Sequence, residues 1–380
     1  MSKNPLSQLA DFGQSFWYDN IQRSLLLNGE MKKMMDEDGM RGVTSNPSIF
    51  EKAIASSDDY DQSLAELLSG QPAMTSRDAF FSLAVQDIQA AADLLRPVYD
   101  STNSLDGYVS LEVSPDLAHD TAASLKEARE LFARLDRPNV MIKIPATKAG
   151  IPVIEQLIAD GINVNATLLF SAERYVDVAQ AYINGLFSRH ERGLATDSIS
   201  SVASFFVSRV DTNLDARLQD ATDVNSAKPL MGKMAIANAK VAYLEYLELF
   251  RSEKFKTLEE AGANPQRLLW ASTGTKNSEY SDVLYIESLI GDNTVNTIPP
   301  ATAQAFNDHG KCAATLELEL EKNRDDFNQL EKIGVDVKAA MIELEEEGVA
   351  AFEKSFDNLL NAIQNKMDSL TNPGAKSSVA

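Results

Sequence analysis

Eight short segments with strand character, each followed by a stretch of helical periodicity, constrain the fold of this chain more than any other feature. They lie at residues 16–19, 41–47, 108–115, 140–147, 163–168, 201–207, 267–273 and 294–298. Most are apolar on both faces, as strands of a parallel sheet covered by helices are, and parallel neighbours need a crossover of about a dozen residues or more. Helical patterns at 30–38, 48–68, 76–99, 124–135, 153–159, 172–187 and 228–255 supply such crossovers. This alternation predicts an α/β chain folded as a (β/α)8 TIM barrel, and 380 residues fit one such barrel with additional N- and C-terminal helices. The N-terminal addition is an amphipathic pattern over 6–27, interrupted by the bulky segment Phe16-Trp17-Tyr18-Asp19. From 316 to 367 the composition turns to acidic helix, with Leu318, Leu330, Ile342, Phe352 and Leu359 interleaved with Glu and Lys. This stretch reads as a helical extension packed on a barrel domain of residues 1–315, with an acidic coiled tail as the alternative. Residues 368–380, polar with Pro and Gly, read as a mobile tail.

The fourth strand, Val140-Met141-Ile142-Lys143-Ile144-Pro145, carries an anomaly. Lysine is among the side chains least often buried, yet Lys143 sits inside an apolar strand, near the carboxyl end, where α/β barrels build their sites. One reading is a lysine snorkelling to water. The other is a desolvated amine able to attack a carbonyl carbon and form a Schiff base. The third strand repeats the pattern, with Glu112 between Leu111 and Val113 and shortly before Pro115. A carboxylate there must be paired or hydrogen-bonded if buried. In the fifth strand Asn163, Asn165 and Thr167 share one face, and in the sixth Ser204 shares a face with Phe206.

A net charge of -21 argues against a nucleic-acid or anionic-membrane partner, because phosphate backbones require a continuous basic surface. No run approaches the ~18 apolar residues of a membrane span, and the N-terminus has no apolar signal core. One cysteine, Cys312, excludes an internal disulfide and agrees with a reducing cytoplasm. The three histidines, His119, His190 and His309, lack ligand spacing, so no metal site is expected.

A barrel gathers the carboxyl ends of its strands at one mouth. The candidates there are Asp19, Asn46, Glu112, Lys143, Asn165, Thr167, Ser204, Arg209, Ser272 and Lys276. An amine nucleophile beside two carboxylates and neutral hydrogen-bonding groups suits carbonyl chemistry through an imine, which needs several proton transfers. Taken singly, Asp19 also reads as a turn residue, Asn46 as a turn initiator before Pro47, and Arg209 and Lys276 as surface charges.

Three ordered motifs sharpen this. Gly42-Val43-Thr44-Ser45-Asn46-Pro47-Ser48-Ile49-Phe50, Ile142-Lys143-Ile144-Pro145-Ala146-Thr147 and Gly161-Ile162-Asn163-Val164-Asn165-Ala166-Thr167-Leu168-Leu169-Phe170 together resemble the transaldolases, over residues 19–300. The length and the acidic extension place the chain near the longer bacterial branch. The resemblance implies a cofactor-free class I aldolase barrel of the non-oxidative pentose phosphate pathway. Such an enzyme moves a dihydroxyacetone unit from sedoheptulose 7-phosphate to glyceraldehyde 3-phosphate. It also implies Lys143 as the Schiff-base lysine, Asp19 as the acid/base of bond cleavage, and Glu112 with Thr167 as the pair that activates water. Asn46, Asn165 and Ser204 would hold substrate hydroxyls and Arg209 the phosphate. The shorter members carry a second arginine after strand seven, where this chain offers Ser272 and Lys276; a lysine binds phosphate as a point charge rather than a fork. Phe206 stands where the related fructose 6-phosphate aldolases carry tyrosine. The expected partners are sugar phosphates, with the protein a monomer or homodimer. A simple aldolase using the same lysine and a non-catalytic sugar-phosphate-binding barrel are the rival readings.

Overall fold

The computed structural model describes residues 3–221 and 223–371. Its centre is a closed barrel of eight parallel strands in sequence order: β1 (Gln14–Tyr18), β2 (Gly42–Val43), β3 (Tyr108–Glu112), β4 (Val140–Pro145), β5 (Val164–Leu169), β6 (Ser201–Phe206), β7 (Arg267–Ala271) and β8 (Thr294–Ile298). β1 closes on β8 over five pairs from Gln14–Thr294 to Tyr18–Ile298. The strands are buried on both faces, which is why they read as apolar runs rather than alternating ones.

Register decides which side chains meet. Glu112 pairs with Lys143 across β3 and β4, Lys143 with Asn165 across β4 and β5, and Pro145 with Thr167. Pairing of β5 with β6 slips by one residue between Ala166 and Leu169, and Leu168 adopts a left-handed conformation there, φ 60°. A bulge of this kind re-aims the end of a strand, at a cost of about 1–3 kcal/mol for a non-glycine residue held in that region.

The lower end of the barrel is closed by a charged plug. Asp106, fully buried, accepts from Ser15 Oγ at 2.7 Å, Trp17 Nε1 at 3.0 Å and Arg267 Nη2 at 2.9 Å. Trp17 fills the interior beside Gly42, where any Cβ would stand 2.5 Å from the indole. Burial alone would raise the Asp106 carboxyl. The charge of Arg267, with hydrogen bonds from Arg267, Trp17 and Ser15, holds it below the ordinary value instead.

Several expectations are revised. The pattern over 6–27 is not one helix but a short helix Pro5–Gln8, β1, and a second short helix Arg23–Leu27. The second strand is reduced to Gly42–Val43, because Asn46 caps the helix Pro47–Ala55 by accepting from Ile49 N at 3.0 Å. The helical pattern over 48–68 divides into Pro47–Ala55 and Asp61–Gly70, and the one over 228–255 into Met234–Phe250 and Glu253–Glu260. A further helix, Ser208–Gln219, left no clear apolar period, because its buried face includes Asp211 and Asp215. Those carboxylates accept backbone N–H groups of Ala235 and Gly232 and hydroxyls of Tyr285 and Tyr280.

At the C-terminus, Leu320–Lys332 packs on Met234–Phe250, and the long helix Val337–Thr371 packs on Pro47–Ala55, Ser76–Ser101 and Ser208–Gln219. Its buried residues, among them Met341, Leu344, Gly348, Phe352, Phe356, Leu359, Ile363 and Met367, recur every three or four positions and form one stripe. Of the apolar residues that mark the extension in sequence, Leu330, Phe352 and Leu359 are buried, while Leu318 and Ile342 face solvent. The helix reaches Thr371, so the expected tail from 368 begins as helix; residues 372–380 lie outside the described part.

The plug generates a stability prediction. Asp106→Asn leaves the Arg267 guanidinium buried without a counter-charge and costs on the order of 3–5 kcal/mol in urea unfolding at neutral pH. A carboxyl held low contributes stability above its unfolded pKa of about 3.9 and loses it as pH falls through the folded value. The gap between wild type and variant therefore narrows in acid. A gap below about 1 kcal/mol at neutral pH would show that the plug does not hold the barrel.

Candidate active site

The carboxyl ends of the strands open into a cavity of about 370 Å³. Lys143 lies at its base, 5% exposed, because β4 carries it inward between Met141 and Pro145. Its Nζ donates to the Ser45 carbonyl at 2.9 Å and stands 3.3 Å from Glu112 Oε2. Neither Glu112 oxygen accepts a well-aligned hydrogen bond from the described residues, and Thr167 Oγ1 is likewise buried without a partner. Loss of solvent raises the Glu112 carboxyl above its ordinary value; Lys143 opposes this and Asp19 adds to it.

Asp19 follows β1 at the rim of the strand layer. Its Oδ1 accepts from Thr44 Oγ1 at 2.6 Å, and that hydroxyl lies 2.5 Å from Thr297 Oγ1. Burial within the mouth pushes the Asp19 carboxyl up, while the Thr44 hydrogen bond and the Lys143 charge pull the other way. Asn46 lines the cavity although its Oδ1 is occupied as a helix cap. Asn46 thus both caps that helix and borders the cavity.

Ser204, Phe206 and Ser272 line the same cavity. Asn165 does not reach it. It is fully buried, accepting from Ser204 Oγ at 2.6 Å and donating to Ser110 Oγ at 3.1 Å, so it fixes the Ser204 hydroxyl from beneath. Glu112 also lies behind Lys143 rather than on the cavity wall. Ser272 holds a left-handed backbone, φ 55°, with its hydroxyl 2.9 Å from that of Ser208. Arg209, half-buried in the first turn of Ser208–Gln219, places its guanidinium carbon 5.7 Å from the Phe206 ring centre. Desolvation lowers its pKa and Glu347 opposes that shift. Lys276 lines the cavity from the loop after β7.

Among the lining residues that the sequence does not assign to the site are Thr44, Thr297, Lys52 and Phe352. Thr44 lies within a quoted motif, and Thr297 precedes Pro299 as Glu112 precedes Pro115, so the same polar-before-proline pattern would have found it. Lys52 comes from the helix Pro47–Ala55 and joins Arg209 and Lys276 in lining the cavity. Phe352 comes from the terminal helix, its ring centre 5.9 Å from Lys143 Nζ. Among the described residues no group of three or more His, Cys, Asp or Glu side chains is arranged to hold a metal ion.

The family model described as transaldolase/fructose-6-phosphate aldolase matches residues 16–363. The chain belongs to that family. It is 45% identical to a protein named transaldolase 2 from a Nostoc species, over 98% of this chain and all of that one. It is 46% identical to transaldolase 2 of Streptomyces coelicolor, over 96% of this chain and 98% of that one, and 44% identical to a transaldolase of Trichodesmium erythraeum. The family match includes most of the terminal helix, so the helix belongs to the shared sequence.

The Asp19 environment yields a titration prediction. The Thr44 hydroxyl stabilises the ionised carboxylate, so Thr44→Val moves the Asp19 midpoint upward. Carboxyl-labelled NMR of both proteins reads this directly. An unmoved midpoint would show that the hydrogen bond does not act on the charged form.

Proposed function

We propose that this protein is a transaldolase, a transferase of dihydroxyacetone units that works through a Schiff base on Lys143. One observation carries the reading: a buried lysine–carboxylate pair stands at the base of a cavity also lined by Lys52, Arg209 and Lys276. Against a net charge of -21, a local group of cations is what an anionic substrate needs. No described helix is long and apolar enough to cross a membrane. We place the enzyme in the cytoplasm, which the single cysteine suits.

In this reading the ketose carbonyl of sedoheptulose 7-phosphate meets Lys143 Nζ, and the amine adds to the carbonyl carbon. Glu112, with its raised carboxyl, accepts a proton readily. With Thr167 it holds the water lost from the carbinolamine and regained on imine hydrolysis. Asp19 removes the proton from the hydroxyl next to the bond being broken, so that the bond's electrons flow into the iminium and leave an enamine on Lys143. Erythrose 4-phosphate departs. Glyceraldehyde 3-phosphate takes its place, Asp19 returns the proton to the new hydroxyl, and fructose 6-phosphate is released by hydrolysis of the imine. Ser204 and Asn46 hold substrate hydroxyls, with Asn165 supporting Ser204. Arg209 and Lys276 receive the phosphate, beside Ser272.

A simple aldolase would share the lysine. Phe206 favours transfer, because its ring packs on Phe170 with centres 5.2 Å apart and offers no hydroxyl to orient water. A non-catalytic binding barrel would have no use for a buried Lys143–Glu112 pair.

Lys143→Arg preserves the charge but not the nucleophile, since a guanidinium stays protonated. The variant should show no transfer from fructose 6-phosphate to erythrose 4-phosphate in a coupled assay. Turnover within tenfold of wild type, roughly the loss of one ordinary interaction, would refute the assignment. Arg209→Ala should raise KM for phosphorylated donors roughly ten- to a hundredfold, the value of a charge-assisted contact, while leaving unphosphorylated dihydroxyacetone little affected. Equal losses for both would make Arg209 a structural residue.

A further inference from the structure

The terminal helix Val337–Thr371 does more than cover apolar surface. Between its two ends it crosses the mouth of the barrel and places one aromatic side chain inside the cavity, facing the amine that the reaction uses. The contacts on either side of that residue fix its position. Before it, Glu345 pairs with Arg174 at 3.2 Å, and Glu343 pairs with Arg217. After it, Ser355 Oγ lies 2.8 Å from Ser48 Oγ, and Phe356 packs edge-on against Phe80 at 5.6 Å, with Arg77 over its ring. Lys366 closes the far end, 2.6 Å from Asp61.

Close approach at the near side depends on a glycine. A Cβ at Gly348 would stand 3.1 Å from Leu168 Cδ2 and 3.3 Å from Phe170 Cε2. Leu168 is the left-handed residue of the β5 bulge, so helix and strand are shaped to each other where Thr167 and Phe170 flank it. One turn further along, Phe352 is 5% exposed and its ring centre lies 5.9 Å from Lys143 Nζ. The Lys143 amine is therefore walled by β3 to β5 on one side and by an apolar ring on the other.

We propose that Phe352 is a specificity-determining residue whose ring shields the Lys143-bound three-carbon unit from water between the departure of one aldehyde and the arrival of the next. The inference rests on the transaldolase reading and adds to it a residue that favours transfer over release. The enamine on Lys143 has two fates. Its terminal carbon forms a carbon–carbon bond to an acceptor aldehyde, or it takes a proton to become the iminium of dihydroxyacetone. In the second case water adds to the imine carbon, the C–N bond breaks, and free dihydroxyacetone leaves with the lysine ammonium restored. Both routes balance without any further reactant. An aromatic wall lowers the local supply of water without offering it a hydrogen-bond partner.

The test compares Phe352→Ala, Phe352→Leu and Phe356→Ala in the full chain. Free dihydroxyacetone released from fructose 6-phosphate and transfer to erythrose 4-phosphate are measured on each preparation, with circular dichroism as a check on folding. Phe352→Ala should raise the ratio of release to transfer by roughly tenfold, the change that about 1.4 kcal/mol in relative barrier produces. Phe352→Leu, which stays apolar, should give a smaller rise, and Phe356→Ala, which loosens the helix without entering the cavity, should leave the ratio near wild type. An unchanged ratio in folded Phe352→Ala overturns the proposal, as does an equal rise in Phe356→Ala. A wild-type protein that neither transfers nor releases dihydroxyacetone overturns the transaldolase reading itself, which the variants alone cannot do.

Discussion

The contact around which the rest of this structure is arranged is the pairing of Lys143 with Glu112 at 3.3 Å in a buried layer of the barrel. Removing two charges from water costs several kcal/mol per ion, and their attraction offsets this only when geometry and hydrogen bonding are good. Here the hydrogen bonding is incomplete: Nζ has one carbonyl partner, and the carboxylate oxygens have none that is well aligned. A pair held this way contributes little to stability for its cost. The proposed Schiff-base chemistry gives it a use, the handling of a proton and a carbonyl carbon, and the raised carboxyl of Glu112 follows from the same burial.

The surrounding fold keeps that pair in place. The plug of Asp106, Arg267, Ser15 and Trp17 fixes the lower end of the barrel with charges whose hydrogen bonds are made, in contrast to the open pair above. At the upper end two non-glycine residues, Leu168 and Ser272, hold left-handed backbones beside the cavity. Such strain persists where packing over-determines it. Leu168 is packed beneath Gly348 of the terminal helix, and Ser272 is tied to Ser208 through both hydroxyl and backbone. The mouth is thus braced by packing after β5 and by hydrogen bonds between the ends of β6 and β7, and its cations sit on helices and a loop around it.

The barrel was legible because each strand is short, apolar and punctuated, and Lys143 and Glu112 stood out because charge inside such a strand is costly to fold. What periodicity supplies is a face, not a depth. Asn165 shares a face with Thr167, which groups it with the substrate-facing residues, yet it lies one layer lower, with its amide engaged by Ser110 and Ser204. The helix Ser208–Gln219 was missed because Asp211 and Asp215 occupy its buried side, where acids accept backbone N–H groups of the next segment. In the sequence Phe352 is only one apolar position in an acidic helix. Its stripe announces packing, but the partner it packs over is set by the tertiary path of the chain, which no local pattern carries.

Covalent trapping tests the Lys143 imine most directly. Borohydride reduction in the presence of fructose 6-phosphate fixes any imine as a secondary amine, and mass spectrometry of the digested protein locates it. One modified residue is expected, Lys143, with the three-carbon unit attached. Modification of Lys52, Lys276 or another exposed lysine with Lys143 untouched, or no trapped adduct in an active preparation, would contradict it.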